Sequence, residues 1–296
     1  MRHFLLNQFS LFRESSAWKW VRFNVYLFRL GVKSRKAARS RYRLLDNRDL
    51  LNLKRSNRVY IFGSGYSLND LTEDEWSEIE RHDTIGFNAF VRQGWIRVDY
   101  HLVRGWGEGA NACFNWQREV TGLAKLINEN PCYQNTVFLL QDEHFAQVSR
   151  VLVAEGLLKS GARIARYHSA PKGLDPTVSL DDGLRHLSGT LSDAVNLAFC
   201  LGWSEIVLVG VDLYDTRYFW LGAQETFFTD YKTGERSVSS TSDRGQRFDE
   251  PHSTVQNGVV DEMARWAAFM RGRGVKLCVY NPLSLLAKAI PILERG

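Results

Sequence analysis

The sequence predicts an α/β fold, with one main domain built on a mostly parallel sheet flanked by helices. Three observations carry this. Apolar runs of strand length recur along the chain and alternate with segments of helical period. The clearest run, residues 205–211, is apolar almost throughout instead of alternating, as a strand covered on both faces requires. Hydrophobic residues form 44% of the 296 positions, enough for a large core, and no long Pro/Gly/Ser linker divides the chain.

The elements follow in order. Residues 58–62 read as a strand ending in Gly63-Ser64-Gly65. Residues 68–81 read as helical, with Thr72 a plausible cap and Glu73, Asp74 and Glu75 in a first turn. Strands are expected at 83–87, 99–103 and 136–140, and helices at 115–129 and 144–158. An irregular stretch comes next. A helix is expected over 188–201, the strand at 205–211, a helix over 259–273 ended by Gly274, and a last strand at 275–280. Between Leu221 and Pro251 the pattern fails. That polar stretch, without periodicity, has the length of a lid, a binding loop or a disordered segment.

Charge is unevenly spread. Residues 1–44 hold 11 Lys/Arg and one Glu, net +10, and the other 252 residues hold 27 Lys/Arg and 32 Asp/Glu, net −5. The basic character belongs to the N-terminus, and no basic face extends it, so nucleic acid is not the expected partner. Within it Val21, Val25, Phe28 and Leu30 alternate with Lys19, Arg22, Arg29, Lys33, Arg35 and Lys36. That is the pattern of a basic amphipathic helix, suited to an anionic membrane surface or to packing on its own domain or a subunit. Its uncharged stretches fall far short of the roughly 18 residues of a membrane span, and charges break it too often for a signal peptide. Residues 1–50 are therefore taken as an N-terminal extension and 51–296 as the main domain. Cys113, Cys132, Cys200 and Cys278 have no zinc or disulfide spacing, and a reducing compartment fits them.

Five places could carry chemistry. Gly63-Ser64-Gly65 lets a backbone approach a phosphate or ribose, or forms a plain tight turn; it is neither GxGxxG nor a P-loop. Asn88 reads a ribose or base edge, or is a turn residue. Arg185 to Thr190 opens a helix, where Ser188, Gly189 and Thr190 bind an anion or Ser188 serves as an N-cap. Gly210 and Asp212 end the strongest strand, where ligands of parallel sheets bind, and Tyr214 and Tyr218 follow as phosphate donors or surface aromatics. His252 stands where the irregular stretch meets a helix, as a general base or a surface residue.

In this order the five pieces resemble glycosyltransferase family 42, the bacterial CMP-sialic acid-dependent sialyltransferases. The similarity spans roughly residues 57–286. Its specific parts are Ser188-Gly189 through Ala198, Leu201-Gly202, Glu205-Ile206, Gly210 to Tyr214, His252-Ser253, and Leu277 to Leu286. The resemblance implies a single Rossmann-like domain of the GT-A-like variant, with residues 221–251 as a lid over the donor. It implies His252 as the general base, and Tyr214 and Tyr218 as stabilisers of the departing CMP phosphate in place of a metal. Gly63, Ser64, Gly65, Asn88, Ser188, Gly189, Thr190, Gly210, Asp212 and Leu213 would form the nucleotide site, with Arg104 and Arg185 on the substrate side. No metal or other cofactor is expected. The donor would be a CMP-sugar and the acceptor a glycan or glycolipid such as lipooligosaccharide, at the inner face of the cytoplasmic membrane. Homo-oligomerisation stays open. Three alternatives remain at this level: a CMP-Kdo-dependent transferase, a pyrophosphokinase-like enzyme of the wider fold group, and a non-enzymatic membrane-surface module.

Overall fold

The computed structural model describes residues 17–104, 116–143, 147–215, 217–222, 225–229, 236–240 and 253–294. Ten strands are described: β1 (Arg43–Leu44), β2 (Arg58–Phe62), β3 (Asp83–Phe87), β4 (Tyr100–Val103), β5 (Val137–Gln141), β6 (Arg163–Tyr167), β7 (Glu205–Val209), β8 (Glu225–Thr229), β9 (Arg236–Ser240) and β10 (Lys276–Val279). The helices are α1 (Ala17–Arg41), α2 (Asn47–Asn52), α3 (Glu73–Glu80), α4 (Trp116–Glu129), α5 (Gln147–Ala154), α6 (Thr190–Cys200), α7 (Ser253–Gln256) and α8 (Val259–Arg271). Eight strands form one sheet in the order β1-β6-β5-β4-β3-β2-β7-β10, parallel at every pairing. The α/β, Rossmann-like class expected from the alternation of elements is the one observed.

Strand residues point alternately to the two faces. From β2, Val59 and Ile61 enter a core shared with α2, α6 and α8, whereas Tyr60 and Phe62 enter one shared with α1, α4 and α5. With helices on both faces, the central strands are buried from end to end, β3 with Asp83 and Thr84 at its start and β5 apolar up to Gln141. Between β2 and β7 the strand order reverses. From β2 the chain proceeds outward through β3, β4, β5 and β6, then returns to β2's other side as β7. At such a reversal the loops leaving the two strands diverge and open a crevice at the carboxyl edge.

Local chemistry explains the boundaries. The helical segment expected over 68–81 is split. A 3-10 turn covers Tyr66–Asp70, and α3 begins anew behind Thr72. There Thr72 Oγ1 accepts from Glu75 N at 3.3 Å and Glu75 Oε2 accepts from Thr72 N at 2.9 Å, a reciprocal capping box. Strand β6 lies in the stretch read as irregular. Its two arginines mask the apolar signal, and Arg166 is accommodated by Asp142 Oδ2 at 2.8 Å and the Ser34 carbonyl at 3.1 Å. Within 221–251, β8 and β9 pair antiparallel, Phe227 opposite Val238, where no strand was expected. Cys278 is buried, in keeping with its apolar run.

Helix α1 packs on α5 through Leu27, Leu30, Ser34 and Ala38, and Lys33 Nζ reaches Glu155 Oε1 at 2.9 Å. β1 then joins the sheet beside β6. Of the apolar set read from the sequence, Leu30 therefore faces the core, while Val25 and Phe28 face outward at 43% and 64% exposure, followed by Val32 at 48%. No helix among the described residues is long and apolar enough to cross a membrane.

Candidate functional site

The loops leaving β2 and β7 touch backbone to backbone. Gly63 N donates to Val209 O and Gly65 N to Gly210 O, both at 2.8 Å. A Cβ on Gly63 would lie 2.9 Å from the Gly210 carbonyl carbon, and one on Gly65 would lie 2.6 Å from Asp212 Cγ. Only glycine permits this approach. Gly210 itself turns through a left-handed φ of 62° against Leu68. Among the described residues two of other types share that region, Asn88 after β3 at φ 51° and Leu213 at φ 63°. Asn tolerates it, but for Leu the conformation is costly and is held only by its surroundings. Both stand at the carboxyl edge of the sheet, beside the reversal point.

Asp212 fastens this corner. Its carboxylate is buried and accepts from Ser67 N at 2.9 Å, from Ser67 Oγ, and from Asn281 Nδ2 at 3.1 Å. The loops after β2, β7 and β10 thereby meet on one side chain. Ser284 Oγ adds a bond to Val211 O at 2.5 Å. Tyr214 is half-buried; burial raises its phenol above the ordinary range, Asp212 raises it further, and a hydrogen bond with Asn281 opposes the shift. Tyr218 pairs its backbone with Gly65, and its ring stacks on Trp220 with centroids 4.7 Å apart. Arg217, between the two tyrosines, is forked onto Asp215 at 2.6–3.1 Å and lies over the Tyr66 ring at 4.1 Å.

The third wall is the start of α6, which packs over β2, β3 and β7. Gly189 stands at its N-cap with φ 128°, and no side chain caps the first N–H groups. Ser188 does not serve as the N-cap. Its N–H donates to Glu262 Oε2 at 3.0 Å, and its hydroxyl donates to Asn257 O at 2.9 Å. Thr190 is the first helical residue. Burial raises the Glu262 carboxyl above its usual range, against the opposing hydrogen bonds from Ser188.

The two arginines assigned to the substrate separate. Arg104, just past β4, gives Nη1 to Asp193 Oδ1 at 2.9 Å on the first turns of α6. Arg185 turns the other way, with Nε on Asp175 O at 3.0 Å and its guanidinium folded over Gly173. Gly63, Ser64, Gly65, Gly210, Asp212, Leu213, Tyr214 and Tyr218 come together around the crevice, and Ser188, Gly189 and Thr190 form the start of the helix packed over its strands. Asn88 is exposed at the end of β3. His252 and most of the 221–251 stretch lie outside the described residues.

Sequence reading gave Ser67 only a place in the segment after the first strand and did not single out Asp193 or Glu262, although all three organise the site. Asp193 carried one signal, an acid inside an otherwise apolar helical run, which must have a partner. Among the described residues no three His, Cys, Asp or Glu side chains converge as metal ligands would.

No protein-family model matches the chain, and no curated protein sequence matches it significantly. Among solved structures it is similar to the MAf glycosyltransferase from Magnetospirillum magneticum AMB-1, at 17% identity and a TM-score of 0.43. The match covers 81% of this chain and 33% of the other, so the chain spans about a third of that protein's length.

Proposed function

We propose that this chain is an inverting, metal-independent glycosyltransferase that moves sialic acid, or a related 2-keto sugar acid, from a CMP-sugar to a hydroxyl of a cell-surface glycan. One observation carries the reading. At the reversal point two glycine turns meet backbone to backbone, and α6, whose N-terminus has no side-chain cap, packs over the same strands, an arrangement suited to a phosphate and the ribose beside it. Tyr214 and Tyr218 flank that crevice and supply hydroxyls for the departing phosphate, the role the family resemblance gives them. His252 is assigned as acceptor-side base on that resemblance alone.

The test is CMP release by the purified protein, with CMP-Neu5Ac and CMP-Kdo in parallel and EDTA present. Release from one donor names it. No release from either, with no CMP binding by calorimetry, removes the reading. Chelator-sensitive, ATP-dependent activity would favour the pyrophosphokinase alternative. His252→Ala is expected to abolish transfer and leave CMP affinity nearly intact, and loss of CMP affinity would make His252 structural.

We also propose that the acceptor is reached at an anionic membrane surface. The outward stripe of α1 carries Val25, Phe28 and Val32 among exposed Arg29, Arg35, Lys36 and Arg39, apolar anchors beside cations. Phe28→Ser should reduce flotation with phosphatidylglycerol vesicles, and unchanged flotation would reject this stripe as the contact.

A further inference from the structure

Beside the start of α6 lies a charged cluster in which His186 and Asp193 have no role above. We propose that His186, oriented by Asp193, is the proton donor to the departing phosphate of the donor substrate. The proposal rests on the CMP-sugar reading and deepens it.

Asp193 is fully buried, and an arginine and a histidine from different elements hold its two oxygens. Arg104 Nη1 takes Oδ1 at 2.9 Å and His186 Nδ1 takes Oδ2 at 2.5 Å. Arg104 alone neutralises this carboxylate, so charge balance does not require the histidine. Its geometry is that of an acid–base dyad. A carboxylate on Nδ1 fixes the tautomer, stabilises the imidazolium and directs Nε2 away from it. The His186 side chain is 28% exposed, and no described residue is seen to bond Nε2.

The location fits the leaving-group side. His186 precedes Ser188-Gly189 by two residues, ahead of the uncapped start of α6 that packs over β2 and β3. The groups facing it are Asp193 on α6, Arg104 past β4, and Glu262 on α8, whose Oε1 is buried without a hydrogen-bond partner. Behind Arg104 stand Glu143 and the buried Tyr167 hydroxyl, also without a partner. With His186 protonated, its Nε2–H is a charged donor to an anion, and Glu262 is the carboxyl that faces it.

The step balances. The bond from the anomeric carbon to the phosphate oxygen breaks, and its electron pair goes to the phosphate. The acceptor oxygen bonds the anomeric carbon and gives its proton to the acceptor-side base. The Nε2 proton passes to the phosphate oxygen, and solvent reprotonates His186. General acids of this kind contribute roughly 10²–10⁴-fold.

The experiment uses the full chain with whichever of CMP-Neu5Ac and CMP-Kdo the wild type turns over. His186→Gln should lower kcat by about 100-fold or more, while donor KM and CMP affinity change by no more than about tenfold. Imidazole should restore part of the rate of His186→Ala. A CMP titration of the wild type, followed by nitrogen NMR of the His186 ring, should move Nε2, a readout independent of any variant's folding. Unchanged kcat in His186→Gln, an equal loss of CMP affinity, or an unmoved Nε2 overturns the proposal and leaves the CMP-sugar reading standing. A wild type that neither binds CMP nor releases it from either donor overturns both.

Discussion

Asp212→Ala removes the acceptor on which three loops converge. The substitution strands Ser67 N, Ser67 Oγ and Asn281 Nδ2. Hydrogen bonds to a charged acceptor contribute roughly 1.5–3 kcal/mol each, and an unsatisfied buried donor costs about 1–3 kcal/mol. Ser67 is buried and Asn281 partly open, so water re-satisfies Asn281 more readily than the Ser67 amide. A loss of about 3–5 kcal/mol is therefore expected, a large share of the stability of a domain. Asp212→Asn keeps the shape but sets an amide NH2 against donors, and about 1–3 kcal/mol is expected. Urea unfolding followed by circular dichroism measures both through the midpoint. Because Ser67 Oγ and Asp212 share one bond, Ser67→Ala should add little on top of Asp212→Ala, and a double-mutant cycle reads that coupling. A loss below about 1 kcal/mol for Asp212→Ala, or full additivity with Ser67→Ala, would refute the reasoning.

Two further expectations come from the buried strands and the glycines. His101 is fully buried on β4 with Nδ1 3.2 Å from the Tyr133 hydroxyl, and burial pushes its imidazole down to about 3. A depressed folded value means the stabilisation is complete above the unfolded value near 6.5 and is lost as pH falls toward 3. Between pH 7 and 4.5 that loss is about 3 kcal/mol in the wild type and absent in His101→Gln; equal losses in urea midpoints would contradict it. Gly63→Ala should cost about 1–3 kcal/mol by forcing apart the β2 and β7 loops. Gly122→Ala, exposed on α4 with open space for a Cβ, should instead stabilise by about 0.5–1 kcal/mol. Thermal melts compare the two, and a stabilised Gly63→Ala would show that the loops do not need to touch.

The α/β class, the position of β2 and β7, the glycine turns after them and the cap at Thr72 were legible in the residue order. Each depends on neighbours a few positions apart, where periodicity, propensity and capping act. The strand β6 was not legible, because its burial comes from β5 beside it and from α1 above Arg166, 132 residues from Ser34. The facing of α1 was half legible. The sequence shows apolar and basic residues around the helix, but contact with α5 decides that Leu27 and Leu30 turn inward and Phe28 outward. The chemistry of the site was split in the same way. The sequence by itself determined the sheet and the turns that open a crevice at its carboxyl edge. Only the tertiary structure joined Asp212 to Ser67 across 145 residues, and Arg104 to Asp193 across 89. A buried charge chooses its partner by distance and desolvation in the folded chain, and no local pattern carries that choice.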